Sequence, residues 1–225
     1  MNSVLKDSSD SAPNPARAPL RVVTAASLFD GHDAAINVMR RLIQAQGCEV
    51  IHLGHNRSVA DIVRAAVCED ADAIAVSSYQ GGHNEYFSYM VDSLKAAGAD
   101  HIQVFGGGGG TITPAEIDTL QAHGVNRIYH PNDGMALGLV AMIEDLVQRT
   151  QRAADARPRP PVSVQAGMDE ASLPAVLSAI EAHALDQADL DQIEALSKQH
   201  THTPIVGLTG TGGAGKSSVT DELIN

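Results

Sequence analysis

Asp30 and His32 stand two residues apart and follow the apolar run Arg21-Val22-Val23-Thr24-Ala25-Ala26. A histidine on the loop leaving a parallel strand faces the crevice in which open α/β sheets bind ligands. An aspartate two residues earlier can take one ring N–H, which fixes the tautomer and strengthens the imidazole as a metal ligand. Both types are common in loops, so the pair alone also reads as a solvated turn. Further polar and glycine-rich stretches follow later apolar runs: Ser77-Ser78-Tyr79-Gln80-Gly81-Gly82-His83, the glycines 106–110, and Pro131-Asn132-Asp133-Gly134. Consecutive glycines cost backbone entropy, and a bulky group passing close to the backbone explains them better than a loose turn. The Ser77 hydroxyl can meet a polar atom of that group or cap the next helix.

A separate chemistry is written at 210–217, where Gly210-Thr211-Gly212-Gly213-Ala214-Gly215-Lys216-Ser217 spells Gly-x4-Gly-Lys-Ser. Backbone N–H groups of such a loop, here around Gly210, Gly213, Ala214 and Gly215, cradle phosphates. Lys216 would reach the β- and γ-phosphates, Ser217 would ligate magnesium, and Ser218 would open the following helix. No second magnesium aspartate and no base-reading motif follow, so this stretch by itself is not expected to hydrolyse GTP.

The elements that must position these residues alternate. Short apolar runs at 20–25, 49–53, 73–77, 101–105 and 127–129 read as strands. Between and after them, residues 35–43, 59–67, 86–97, 115–123 and 134–149 carry apolar positions at helical spacing. Five strands alternating with five helices imply a parallel sheet covered on both faces. The expected fold is α/β, a flavodoxin-like doubly wound five-stranded parallel sheet with strand order 2-1-3-4-5. In that order Asp30 and His32 follow the first strand, Ser77 and Ser78 follow the third, and all face the crevice between them.

Composition shifts at Arg157-Pro158-Arg159-Pro160-Pro161 to a stiff linker. Residues 169–199 are again helical, too short to form a core alone and so expected to dock on something else. Residues 204–209 read as a strand leading into the phosphate loop, with the chain stopping inside a third module. The expected organisation is a disordered leader over 1–19, a ligand-binding domain over 20–150, a Pro-rich and helical linker over 151–203, and the truncated start of a P-loop domain over 204–225.

The net charge of -12 argues against nucleic acid or an anionic membrane as a partner. Aromatics at 3%, with no tryptophan, leave little for base stacking. There is no signal core or membrane-spanning run, and Cys48 and Cys68 lack zinc spacing and read as buried thiols, which suits a reducing cytoplasm.

Asp30-x-His32, Ser77-x-Tyr79 and Gly106-Gly107, in that order on a five-strand α/β unit, resemble the cobalamin-binding domain of acyl-CoA mutases and methionine synthase. The resemblance spans about residues 20–149. It implies that His32 replaces the cofactor's own base as lower axial ligand of cobalt and that Asp30 hydrogen-bonds that histidine. It also implies that the displaced dimethylbenzimidazole tail lies in a groove beside Ser77, Tyr79, Gly106 and Gly107. Imidazole suits a borderline metal such as cobalt. Ala35 stands where the family carries glycine, and Tyr79 where it carries leucine, so the tail groove should be slightly altered and binding retained. The Ser-Ser-x-x-Gly-Gly-His wording is closer to the mutases than to methionine synthase.

With the helical stretch and the phosphate loop, the order of parts resembles the isobutyryl-CoA mutases fused to a G-protein chaperone. That resemblance implies adenosylcobalamin, with GTP and magnesium bound in the full-length protein. The implied reaction is a radical interconversion of isobutyryl-CoA and n-butyryl-CoA, started by homolysis of the cobalt–carbon bond. The acyl-CoA would be held by a barrel domain outside this chain, the full-length enzyme would be a homodimer, and no residue here is assigned to substrate chemistry. The other reading is a non-catalytic cobalamin carrier or sensor, which has no need of a phosphate loop. A response-regulator receiver needs an aspartate where Ser77-Ser78 stands, and a flavodoxin needs a phosphate-cradling loop where Ser27-Leu28-Phe29-Asp30 stands.

Overall fold

The computed structural model describes residues 19–157, 162, 164–169, 172–199 and 204–224, in two compact units divided between Leu185 and Asp186. Most of the leader and of the proline-rich linker lie outside the described residues.

In the first unit, strands β1 (Arg21–Ser27), β2 (Glu49–Arg57), β3 (Ala73–Ser77), β4 (Gln103–Gly107) and β5 (Arg127–Tyr129) form one sheet in the order β2-β1-β3-β4-β5. Every pairing is parallel, as the strand–helix alternation requires. Helices α1 (Asp33–Ala45), α2 (Val59–Cys68), α3 (His83–Ala96), α4 (Pro114–His123), α5 (Pro131–Leu137), α6 (Leu139–Ala156) and α7 (Leu173–Glu181) complete the unit.

Side chains alternate across the sheet and build two cores. Val23, Ile74, Val76 and Val104 pack with Ile62, Phe87 and Leu120 from α2, α3 and α4 on one face. Val22, Ala73, Ala75 and Phe105 pack with Ile43, Ile143 and Leu146 from α1 and α6 on the other. The central strand β3 is buried throughout, the mark of a strand covered on both sides. Local signals fix where helices begin. Ser58 with Asp61, and Thr113 with Glu116 behind Pro114, form reciprocal capping boxes at the starts of α2 and α4.

Several boundaries differ from the sequence reading. β4 starts two residues later than expected, because residues 100–102 turn, with the Ile102 N–H donating to Ala99 O (3.0 Å), before the strand begins. β2 runs on to Arg57, with register irregularities opposite Ala25. The helix expected over 134–149 is two helices, broken at Gly138, whose φ of 80° no helix continues. Cys48 is buried, and desolvation together with the Asp72 charge pushes its thiol up to about 11. Cys68 is exposed: the buried stripe of α2 runs through Val59, Ile62, Val63 and Ala66, and Cys68 lies off it. The docking expected of the helical stretch holds for α7. Arg21 donates to Ser178 Oγ (3.3 Å) and Glu181 Oε2 (3.0 Å), and Val176 and Ala179 are buried.

The second unit contains α8 (Gln187–Gln199) and α9 (Lys216–Ile224). Residues 204–209, expected as a strand, have no regular structure. A strand needs a neighbour to take its N–H and C=O groups, and no other strand is described in this unit. Among the described residues no helix is long and apolar enough to cross a membrane.

Candidate functional site

The carboxyl ends of β1, β3 and β4 bring Asp30, His32, Ser77, Tyr79, Gly106 and Gly107 to one edge of the sheet. Ser27 O accepts from Asp30 N (3.0 Å), and that turn drives the Asp30 side chain inward until it is fully buried. A buried carboxylate must be satisfied, and this one is. Oδ1 accepts from the His32 backbone N–H and from His32 Nδ1, both at 2.9 Å, while Oδ2 accepts from the Tyr79 backbone N–H at 2.6 Å. Burial by itself pushes the carboxyl up, but these donors outweigh it and hold Asp30 below the ordinary carboxylate range. An ionised Asp30 can only accept, so Nδ1 of His32 is the donor, which in the neutral imidazole leaves the lone pair on Nε2. The imidazole is 64% exposed and lies 5.5 Å from the Tyr79 ring.

Beside this pair a cavity of about 310 Å³ opens between the sheet, α1 and α6. Ala35 and Met39 line it from α1, Leu139 and Met142 from α6, and Ser77 and Gly107 from the strand ends. Its walls are mostly apolar, though Tyr79, Tyr129 and His130 also line it. Ser77 Oγ is buried there with no hydrogen-bond partner among the described residues, which is costly unless a ligand supplies one.

The glycines of 106–110 divide by the alternation of the strand. A Cβ on Gly106 would lie 2.4 Å from the Phe87 ring and 2.7 Å from Ile128, so the opposite core already demands glycine there. A Cβ on Gly108 would lie 1.8 Å from Ser78 O, and Gly109 sits at φ 59° under the Tyr79 ring. At Gly107 the nearest atom would be Tyr129 O, at 3.4 Å. Gly107 is therefore the glycine whose missing side chain leaves room on the cavity side. Ser78, which the strand order places at the crevice beside Ser77, has a structural role there. It donates its N–H to Gly107 O (2.7 Å) and accepts from Ser27 Oγ (3.0 Å), tying β1, β3 and β4 together below the site.

The family model of the B12 binding domain matches residues 20–135, which contain the whole of this sheet. The chain belongs to the B12-binding domain family. The fused isobutyryl-CoA mutase of Cupriavidus metallidurans is 54% identical over 213 residues, covering 93% of this chain and 19% of the relative. The pivalyl-CoA mutase small subunit of Xanthobacter autotrophicus is 34% identical over 113 residues, covering 50% of this chain and 74% of the subunit. A solved cobalamin-binding protein from Desulfitobacterium hafniense superposes with a TM-score of 0.48 at 23% identity, over 58% of each chain. The chain thus spans about 19% of the length of the fused mutases it matches and resembles their amino-terminal part.

The residues present in this B12-binding domain suit the cofactor. Among the described residues no group of three or more His, Cys, Asp or Glu could hold a metal ion. A lone imidazole can ligate a metal that arrives with its other ligands, and a corrin supplies those. The apolar cavity with an unsatisfied hydroxyl has the polarity to take an aromatic ring with one free ring nitrogen.

In the second unit, Lys216 Nζ donates to Gly210 O (2.8 Å) and Thr211 O (2.7 Å), folding the lysine back across the glycine loop. Gly213 and Gly215 have φ of 76° and 75°, and α9 begins at Lys216, with Ser217 and Ser218 exposed in its first turn.

Proposed function

We propose that this domain binds cobalamin with its own base displaced, His32 Nε2 serving as the lower axial ligand and Asp30 setting the histidine's tautomer and basicity. The tail would lie in the cavity between the sheet, α1 and α6, with Ser77 Oγ bonded to a nitrogen of the base and Gly107 leaving room for the ring. Tyr79 contributes its backbone N–H to Asp30 and its ring to the wall beside His32. The observation that carries this reading is the doubly committed Asp30: a buried anion holding Nδ1 as a donor leaves Nε2 as a metal ligand.

The cofactor form would be adenosylcobalamin, which supplies a radical initiator when its cobalt–carbon bond breaks homolytically. The full-length protein would interconvert isobutyryl-CoA and n-butyryl-CoA as a cytoplasmic homodimer, with acyl-CoA held outside this chain. The fused isobutyryl-CoA mutases and the pivalyl-CoA mutase small subunit among its relatives favour this over a carrier or sensor. Residues 210–218 would bind the phosphates of GTP and a magnesium ion within a complete GTPase module, with Lys216 exchanging its carbonyl contacts for phosphate oxygens. No nucleic acid or membrane enters this function.

Electron paramagnetic resonance of cob(II)alamin tests the ligand. The unpaired electron couples to the axial nitrogen, so labelling the protein with heavy nitrogen should change the splitting from three lines to two. His32→Ala should lose the protein-derived splitting. An unchanged three-line pattern in labelled wild type would place the cofactor's own base on cobalt and overturn the reading.

A further inference from the structure

The loop that carries Asp30 and His32 passes through a backbone conformation its sequence does not favour. Phe29 has φ of 64°, in the left-handed region, where a bulky residue is an outlier. Its ring is 79% exposed, so the side chain gains nothing from packing that would offset the strain. Such a conformation persists when contacts on either side over-determine it. On one side is the Asp30 carboxylate, pinned by Tyr79 N. On the other is Asn56, whose Oδ1 accepts the Phe29 N–H at 2.8 Å.

Asn56 is built for that contact. It lies near the end of β2 and itself adopts φ of 55°, which asparagine tolerates better than most residues. The irregular register between β1 and β2 ends with Ser27 opposite Arg57, bringing Asn56 alongside the β1–α1 loop. The strand end is held in turn by Tyr86, whose hydroxyl donates to Arg57 O at 2.7 Å.

We propose that Asn56 is a positioning residue for His32: its amide holds the left-handed turn at Phe29 and thereby sets the Asp30–His32 pair against Tyr79. The inference rests on His32 being the axial ligand, and it adds the residue that keeps the ligand's loop in register. The clamp joins β2 to the site, whereas the tie through Tyr79 comes from the loop after β3.

The test uses this chain, cob(II)alamin binding and the protein-nitrogen splitting. Asn56→Gly removes the acceptor while keeping the left-handed backbone easy, and should weaken binding about tenfold and reduce the splitting. Asn56→Asp keeps an acceptor oxygen and should bind as wild type. Phe29→Gly added to Asn56→Gly should recover most of the lost affinity, because glycine enters the left-handed region without strain. Wild-type binding and splitting in Asn56→Gly would overturn the clamp. So would loss in Asn56→Asp, absence of recovery in the double variant, or loss of fold in both glycine variants. His32→Ala run alongside separates the two claims. Unchanged splitting there overturns the ligand reading and this inference together. Changed splitting there with wild-type behaviour in Asn56→Gly overturns this inference alone.

Discussion

Two glycine-rich loops in this chain each lead toward a helix, and they differ in what holds them. The loop at 106–110 is fixed by the protein. A Cβ would collide with Phe87 and Ile128 at Gly106, with the Ser78 carbonyl at Gly108 and with the Tyr79 ring at Gly109, and β3 is hydrogen-bonded alongside. The loop at 210–215 is exposed along its length, and its carbonyls at 210 and 211 are held by Lys216. Similar local composition thus gives a rigid cavity wall in one case and a loop organised by one side chain in the other. Pre-organisation comes from the packing around a loop, not from its glycines.

The sharpest way to break this contrast is to add one methyl group to each loop. Gly106→Ala should lower unfolding stability by about 1–3 kcal/mol, because Phe87 and Ile128 already fill the Cβ position. Gly212→Ala, where no atom lies within 4 Å of the added Cβ, should leave the main thermal transition unmoved. Equal melting temperatures for wild type and Gly106→Ala would mean that the first loop is no better packed than the second.

A smaller effect is expected from Asp30→Asn, which should cost about 10- to 100-fold in cobalamin affinity. The amide can offer only one acceptor oxygen where the carboxylate has two in use, one toward His32 and one toward Tyr79. The pH dependence has a definite sign. The folded-state pKa of Asp30 is depressed below the ordinary value of 3.8, so its contribution to stability is fully present above that value. It is lost only as pH falls through the lower, folded-state pKa. Denaturation curves of wild type and Asp30→Asn should differ at neutral pH and converge in strong acid. A constant gap down to the acid limit would contradict an ionised Asp30.

The smallest effect should come from the second loop. Lys216→Ala should leave cobalamin binding unchanged, and calorimetric titration of this chain with magnesium and GTP should show weak binding or none. The flanking residues 204–209 form no strand to hold the loop's N–H groups on the phosphates. Tight one-to-one GTP binding would show that this loop is organised without such support.

The sequence by itself determined the order and class of the elements. Short apolar runs and helical spacing mark where strands and helices fall, and right-handed crossovers restrict how they pair. It also determined that Asp30, His32, Ser77, Tyr79 and Gly107 share one edge, because residues following neighbouring parallel strands must meet there. Only the tertiary structure decided the rest. The reason Gly106 is glycine lies in Phe87, a residue on the far face of the sheet with no sequence neighbourhood to it. The strand expected at 204–209 is missing because pairing needs a partner that periodicity cannot supply. The tie from Asn56 to Phe29 joins residues 27 positions apart through a register shift. Local preferences are carried by neighbours along the chain; close approach, orphaned hydroxyls and strained turns are set by neighbours in space.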